Sequence, residues 1–122
     1  MAKHLKTGAA GEAAAVAYLR AAGYQILETN WRHGRAELDI IAKKDERLIF
    51  AEVKTRSSDF TAPAASVTTH KQKMLTKAAC AYMEIVRHTQ EFRFDIFAIH
   101  YVNKNDIRIN HLKDAFFPGL GY

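Results

Sequence analysis

Two short alternating runs constrain this chain more than anything else in it. Glu37-Leu38-Asp39-Ile40-Ile41 and Leu48-Ile49-Phe50-Ala51-Glu52-Val53-Lys54 both read as strands, with apolar and β-branched residues recurring at every second position. Lys43-Lys44-Asp45-Glu46-Arg47 between them has no apolar residue and reads as a hairpin turn, although it lacks the usual glycine. With Asp45-Glu46 as a two-residue loop, Lys44 faces Arg47, Asp39 faces Glu52 and Glu37 faces Lys54. Opposed residues share a sheet face with Cβ atoms about 4.5–5.5 Å apart, so the hairpin predicts a patch of carboxylates with one ammonium. A slip of one residue would send Asp39 and Glu52 to opposite faces.

Carboxylates that close repel unless a cation lies between them. Mg²⁺ takes one or two protein carboxylates and keeps several waters, so a divalent-metal site fits. A cross-strand ion-pair ladder on a solvated face is the plainer alternative. Local sequence does not choose between them.

Charge narrows the partners. The chain carries 18 Lys and Arg against 13 Asp and Glu, a formal net charge of +5. Between Asn30 and Lys77 there are ten basic residues (Arg32, Arg35, Lys43, Lys44, Arg47, Lys54, Arg56, Lys71, Lys73, Lys77) and six acidic ones, of which Glu37, Asp39 and Glu52 are three. Outside the carboxylate patch the middle of the chain is therefore positive, as a phosphate-binding surface requires. No apolar run approaches the 18 or so residues of a membrane span, and Glu12 and Arg20 interrupt any signal-peptide core, which points to the cytoplasm. The single cysteine, Cys80, excludes an internal disulfide framework and a Cys-rich zinc site; its Ala-rich surroundings predict a buried small hydrophobe.

At 122 residues the chain is expected to form one domain, residues 1–122. A polar arm, Met1 to Thr7, precedes a helix over Gly8 to Ala22 that stops at Gly23. Glu12 falls in the first turns of that helix, where the dipole alone accounts for a carboxylate. Tyr24 to Trp31 is a first strand, and Arg32-His33-Gly34-Arg35 a basic turn into the hairpin. Thr55 to Ala65 reads as a loop beside the site. Thr69-His70-Lys71-Gln72 matches a capping box opening a helix to about His88, with Leu75, Ala78, Tyr82, Ile85 and Val86 inward and Lys73 and Lys77 outward. Phe92 to Ile99 and Ile107 to His111 are strands joined by a turn at Asn103 to Asn105. The apolar tail, Phe116 to Tyr122, is expected to pack on the body or on a second copy. The order α-β-β-β-α-β-β predicts an α/β fold, a mixed sheet of about five strands between helices.

Gly11-Glu12, Tyr18-Leu19, Gly23-Tyr24, Asn30-Trp31-Arg32, Glu37-Leu38-Asp39-Ile40-Ile41, Phe50-Ala51-Glu52-Val53-Lys54-Thr55-Arg56, Lys71-Gln72-Lys73 and Arg93-Phe94-Asp95 together resemble the YraN family. Those are small bacterial proteins with a restriction-endonuclease-like fold, related to archaeal Holliday junction resolvases. The resemblance covers about residues 8–100. It implies a PD-(D/E)xK nuclease core in which Asp39, Glu52 and Lys54 match the signature and Glu12 matches the helix glutamate of the resolvases. Two positions depart from the pattern: Ala36 replaces the glycine before Glu-x-Asp, and Thr61-Ala62-Pro63 replaces a loop glycine.

The expected chemistry then follows. Asp39, Glu52 and the Val53 carbonyl would ligate Mg²⁺ or Mn²⁺, with Glu12 reaching it through water. The metal would polarise the scissile phosphate and activate a water. Lys54 would position that water and stabilise the developing charge. Glu37 is expected to serve a basic neighbour. Arg32, Arg35, Arg56, Lys71, Lys73 and Lys77 would hold the phosphate backbone, of DNA in preference to RNA, without reading sequence. The histidines show no metal-ligand spacing, and His70 is the one nearest a plausible role. The rivals are a nucleic-acid-binding domain without catalysis and a scaffold acting through the apolar tail.

Overall fold

A computed structural model describes residues 2–56, 67–103 and 105–116, without the side chains of residues 2–7 and Arg56. The elements run α1 (Ala2–Ala21), β1 (Gln25–His33), β2 (Ala36–Lys44), β3 (Arg47–Arg56), α2 (Thr69–Val86), β4 (Phe92–Asn103) and β5 (Asp106–Phe116). The five strands form one sheet in sequence order. Only β3 and β4 pair parallel, and α2 makes the crossover that such a pair needs. The mixed α/β architecture is therefore the one expected.

Alternation along the strands builds two apolar faces. Leu48 and Phe50 pack with Phe94, Ile96 and the Leu75, Ala78, Ala79 and Tyr82 stripe of α2. Ile49 and Ala51 pack with Phe97, Ile99 and Ala15 and Leu19 of α1 on the other side. Each helix thus covers one face of the sheet.

The central hairpin folds in the predicted register, with pairs from Lys44–Arg47 to Ile40–Ala51. Asp45 and Glu46 both take positive φ, 52° and 68°, as a type I′ turn requires even without glycine. At the β1–β2 turn, Gly34 adopts φ 60° where His33 pairs with Ala36. Ala36 is buried in the α2-side core, so the residue that replaces glycine there fills space as a small apolar group.

Several expectations are corrected. The first helix begins at Ala2, so the residues read as a polar arm extend it, and Glu12 lies mid-helix with no acidic residue in the first turn. A dipole role for Glu12 is thereby removed. The second helix is capped by Thr68, whose Oγ1 accepts from the Lys71 amide at 3.2 Å, while Gln72 reaches back to the Val67 carbonyl. It ends at Val86 with Arg87 in the left-handed region, two residues before the expected His88. Ile85 and Val86, expected to face inward, are exposed at 69% and 47%. Cys80 is exposed, because Ala78, Ala79 and Tyr82 claim the inward stripe. The loop after β3 and the tail beyond Phe116 lie outside the described residues; Phe116 itself stacks on Phe94 with centroids 4.7 Å apart.

Candidate active site

The site forms where β2 and β3 leave their regular ladder. Past the Ile40–Ala51 pair, the Val53 amide donates to Asp39 Oδ2 at 2.8 Å, so a side chain carries the next bond between the strands. Alternation in β2 also breaks here. Leu38 joins the α2-side core, yet Ile40, two residues on, joins the α1-side core. Across from Asp39, between the pairs Thr29–Ile40 and Trp31–Leu38, Asn30 sits at φ 53°. Left-handed backbone at a non-glycine residue is a local distortion, and asparagine tolerates it better than most. The pair of irregularities leaves Asp39 at the seam between the two sheet faces.

The regular ladder ends one pair short of Asp39 and Glu52, but Asp39 is near enough to act on the Glu52 carboxyl. Glu52 is 8% exposed. Burial first, and Asp39 second, raise its pKa to about 8 from an ordinary 4.5. Its Oε2 is buried without a hydrogen-bond partner among the described residues. Lys71 Nζ stands 3.5 Å from that oxygen, an ion pair that lacks hydrogen-bond geometry. Burial also opposes charge on Lys71, but Glu52 and the adjoining Lys54 more than offset it and its pKa is raised. Lys54 is half-buried, and burial, then Lys71, lower its pKa. Even with Lys71 and Lys54 nearby, burial and Asp39 hold the Glu52 carboxyl well above the usual carboxylate range.

Glu12 approaches from α1. Its Oε1 accepts from Asn30 Nδ2 at 2.7 Å, so the distorted asparagine is also what orients it. Burial, opposed by Asn30, and then Asp39 and Glu37 raise its pKa. Gly11 makes this approach feasible, since a Cβ there would collide with Thr55 Oγ1 at the end of β3. A cleft of about 660 Å³ lined by Ala13, Val16, Arg20 and Thr29 opens between α1 and β1 beside Glu12.

Other predicted residues fall elsewhere. Glu37 pairs with Arg32 at 3.2 Å, and the neighbours that act on Lys54 are Glu52, Asp39 and Lys71, so the predicted Glu37–Lys54 patch is replaced by a strand-to-strand ion pair. Arg35 lies exposed in the β1–β2 turn, and Lys73 and Lys77 on the outer face of α2. Arg56 ends β3, with a side chain outside the described set. His70 is exposed at the start of α2. Lys71 is the surprise, sitting against Glu52 where a backbone-phosphate role was expected; its first-turn position opposite the end of β3 becomes visible only once the crossover is built.

Sequence reasoning also missed a second buried carboxylate. Asp95 of β4 pairs with Ala51, one ladder position from Glu52, and is fully buried. Arg93 Nε and Nη2 donate to it at 2.7 and 2.8 Å, His111 Nε2 at 2.6 Å and the Asp114 amide at 2.9 Å. Arg93 donates further to the Tyr24 hydroxyl at 3.1 Å. Burial opposes ionisation, but the bonds from His111, Arg93 and Asp114 prevail and the Asp95 pKa is lowered.

Among the described residues, no three His, Cys, Asp or Glu side chains converge as a ready-made metal cluster. The site offers two carboxylates, the number Mg²⁺ takes, and one orphaned buried oxygen. The residues present fit a hydrated divalent cation.

Comparison with known proteins agrees with the resemblance. The family model described as Uncharacterised protein family UPF0102 matches residues 11–99. A UPF0102 protein of Bacteroides thetaiotaomicron is 47% identical over 98% of this chain and 99% of its own length. One from Christiangramia forsetii is 48% identical over 96% and 98%, and one from Thermodesulfovibrio yellowstonii 41% identical over 93% and 97%.

Proposed function

We propose, for a chain that belongs to the UPF0102 family, a metal-dependent nuclease that hydrolyses phosphodiester bonds in DNA, selecting its substrate by structure and not by sequence. One observation carries this reading: half-buried Asp39 acts on buried Glu52 beside two lysines, and Glu52 Oε2 has an ion-pair neighbour in Lys71 but no hydrogen bond among the described residues. The neighbouring Asp95, by contrast, has donors on both carboxylate oxygens, although His111 Nδ1 beside it is likewise without a hydrogen bond.

Asp39, Glu52, the Val53 carbonyl and, through water, Glu12 would hold Mg²⁺ or Mn²⁺. When bound, the ion supplies Lewis-acid polarisation of the phosphate and a more acidic water. Glu52 would have to be ionised to hold the ion. Lys54, with its pKa lowered by burial, is suited to orient the attacking water and exchange a proton with it. Lys71, freed from Glu52, is then available to the phosphate, where it adds to the charge stabilisation Lys54 provides. Arg32, Arg35, Arg56, Lys73 and Lys77 bind the flanking backbone. No described helix is long and apolar enough to cross a membrane.

The second reading is a nucleic-acid-binding domain without catalysis. It is favoured by the Lys71–Glu52 pair, which already stands in the cation's place. The two separate on a branched or single-stranded DNA incubated with Mn²⁺. The nuclease cuts it, and Asp39→Asn still binds but does not cut. Binding by both proteins with cutting by neither supports the second reading.

A further inference from the structure

At the same end of the sheet as the carboxylates, edge strand β1 carries an aromatic pair that the proposed chemistry leaves unused. Trp31 and His33 lie two residues apart on one strand face, their rings parallel to within 4° at a centroid distance of 6.1 Å. The inner anchor is Tyr82 of α2, edge-on to Trp31 at 5.2 Å. Trp31 is half-buried and His33 exposed, so the stack runs from the core outward and ends in water. Beyond it Gly34 has open space around it. Arg35 is exposed in the turn, and Arg32, 72% exposed, is held by Glu37 on the intervening position. His33 pairs with Ala36, three residues from Asp39 along β2, or roughly 10 Å at the strand rise.

We infer that Trp31 and His33 form a stacking platform for an unpaired nucleobase, which makes the substrate single-stranded next to the bond that is cut. The rings offer a π-face anchored at the core, and base–aromatic stacking tolerates any sequence. A base inside a duplex cannot present its face to a side chain, so the platform selects unpaired strands. Arg35, exposed in the turn beyond His33, is placed to neutralise a phosphate next to the stacked base, while Arg32 lies on the opposite strand face paired with Glu37. The roughly 10 Å to Asp39 corresponds to about three stacked nucleotides at 3.4 Å each, so the platform and the carboxylates can engage one strand together. Only the link to a cleaved bond rests on the nuclease reading; base binding does not.

Trp31 is the sole tryptophan, which makes its fluorescence a direct reporter. The full chain in EDTA is titrated with a thymidine oligonucleotide and, separately, with a blunt duplex of equal length, while anisotropy of labelled strands records binding. The single strand should quench Trp31 as it binds and the duplex should not. His33→Ala, which keeps the reporter and removes no buried group, should weaken the single strand roughly tenfold and the duplex not at all. Equal quenching by both ligands, single-strand binding without quenching, absence of single-strand binding, or an unchanged His33→Ala affinity overturns the platform. Cleavage with Mn²⁺ without the fluorescence response sinks the platform and spares the nuclease. Quenching without cleavage does the reverse.

Discussion

Two buried carboxylates lie one ladder position apart on neighbouring strands and have opposite fates. Asp95 receives four donors, from Arg93 twice, His111 and the Asp114 amide, and its pKa is lowered. Glu52 meets another carboxyl group, has Lys71 3.5 Å from an Oε2 that accepts no hydrogen bond among the described residues, and its pKa is raised to about 8. Burial is similar; donor supply is what differs. The contrast teaches that a buried acid is structural where the fold satisfies it and is a candidate for chemistry where the fold leaves it short.

The largest effect that would sharpen the contrast is on turnover. Asp39→Asn should reduce Mn²⁺-dependent cleavage roughly a thousandfold or more while leaving the unfolding transition in place, measured by product formation and urea denaturation on the same preparation. The counterpart is Asp95→Ala, which strands the Arg93 guanidinium and the His111 and Asp114 N–H groups. It should cost about 3–5 kcal/mol of stability by urea denaturation. An Asp95→Ala protein as stable as wild type would break the comparison.

Acidity separates the two next. Glu52 has a folded pKa near 8 against an ordinary 4.5. The folded state thus binds the extra proton between those values, and the metal-free protein loses stability as pH rises from about 4.5 towards 8. Glu52→Gln should flatten that slope in urea midpoints taken across the range. Asp95 has the opposite sign: its contribution is present above the ordinary value of 3.8 and is lost as pH falls through the lowered folded pKa. Smaller still is Gly11→Ala, whose new methyl group meets Thr55. It should cost about 1–3 kcal/mol and weaken cleavage by displacing Glu12, read as a lower urea midpoint and a slower rate together. The least effect belongs to Lys77→Ala on the outer face of α2, which should lower the salt dependence of DNA binding by a slope of about one with cleavage of bound DNA unchanged.

The hairpin was legible because strand alternation and a two-residue turn define a register without tertiary information, and every pair from Lys44–Arg47 to Ile40–Ala51 follows it. The same register, carried one pair further, is what suggested that Asp39 and Glu52 are neighbours, whereas the break in alternation beside Asp39 and the φ of Asn30 were not legible. Lys71 could not be placed, since its approach to Glu52 depends on where the crossover delivers the first turn of α2. The Asp95 cluster escaped because Arg93-Phe94-Asp95 looks like an ordinary alternating strand, and its main partner, His111, is 16 residues away on β5. Cys80 was misplaced because alanine neighbours do not say which way a helix faces; the inward stripe set by Leu75, Ala78 and Tyr82 does.

Calorimetric titration of Mn²⁺ into the metal-free chain, run in parallel on wild type and Asp39→Asn, tests the shared-cation site most directly. The geometry predicts one ion bound by wild type, tighter as pH rises towards 8 with a proton released, and no comparable binding to the variant. Equal Mn²⁺ affinity for the two proteins, or none for wild type at pH 8, would contradict it.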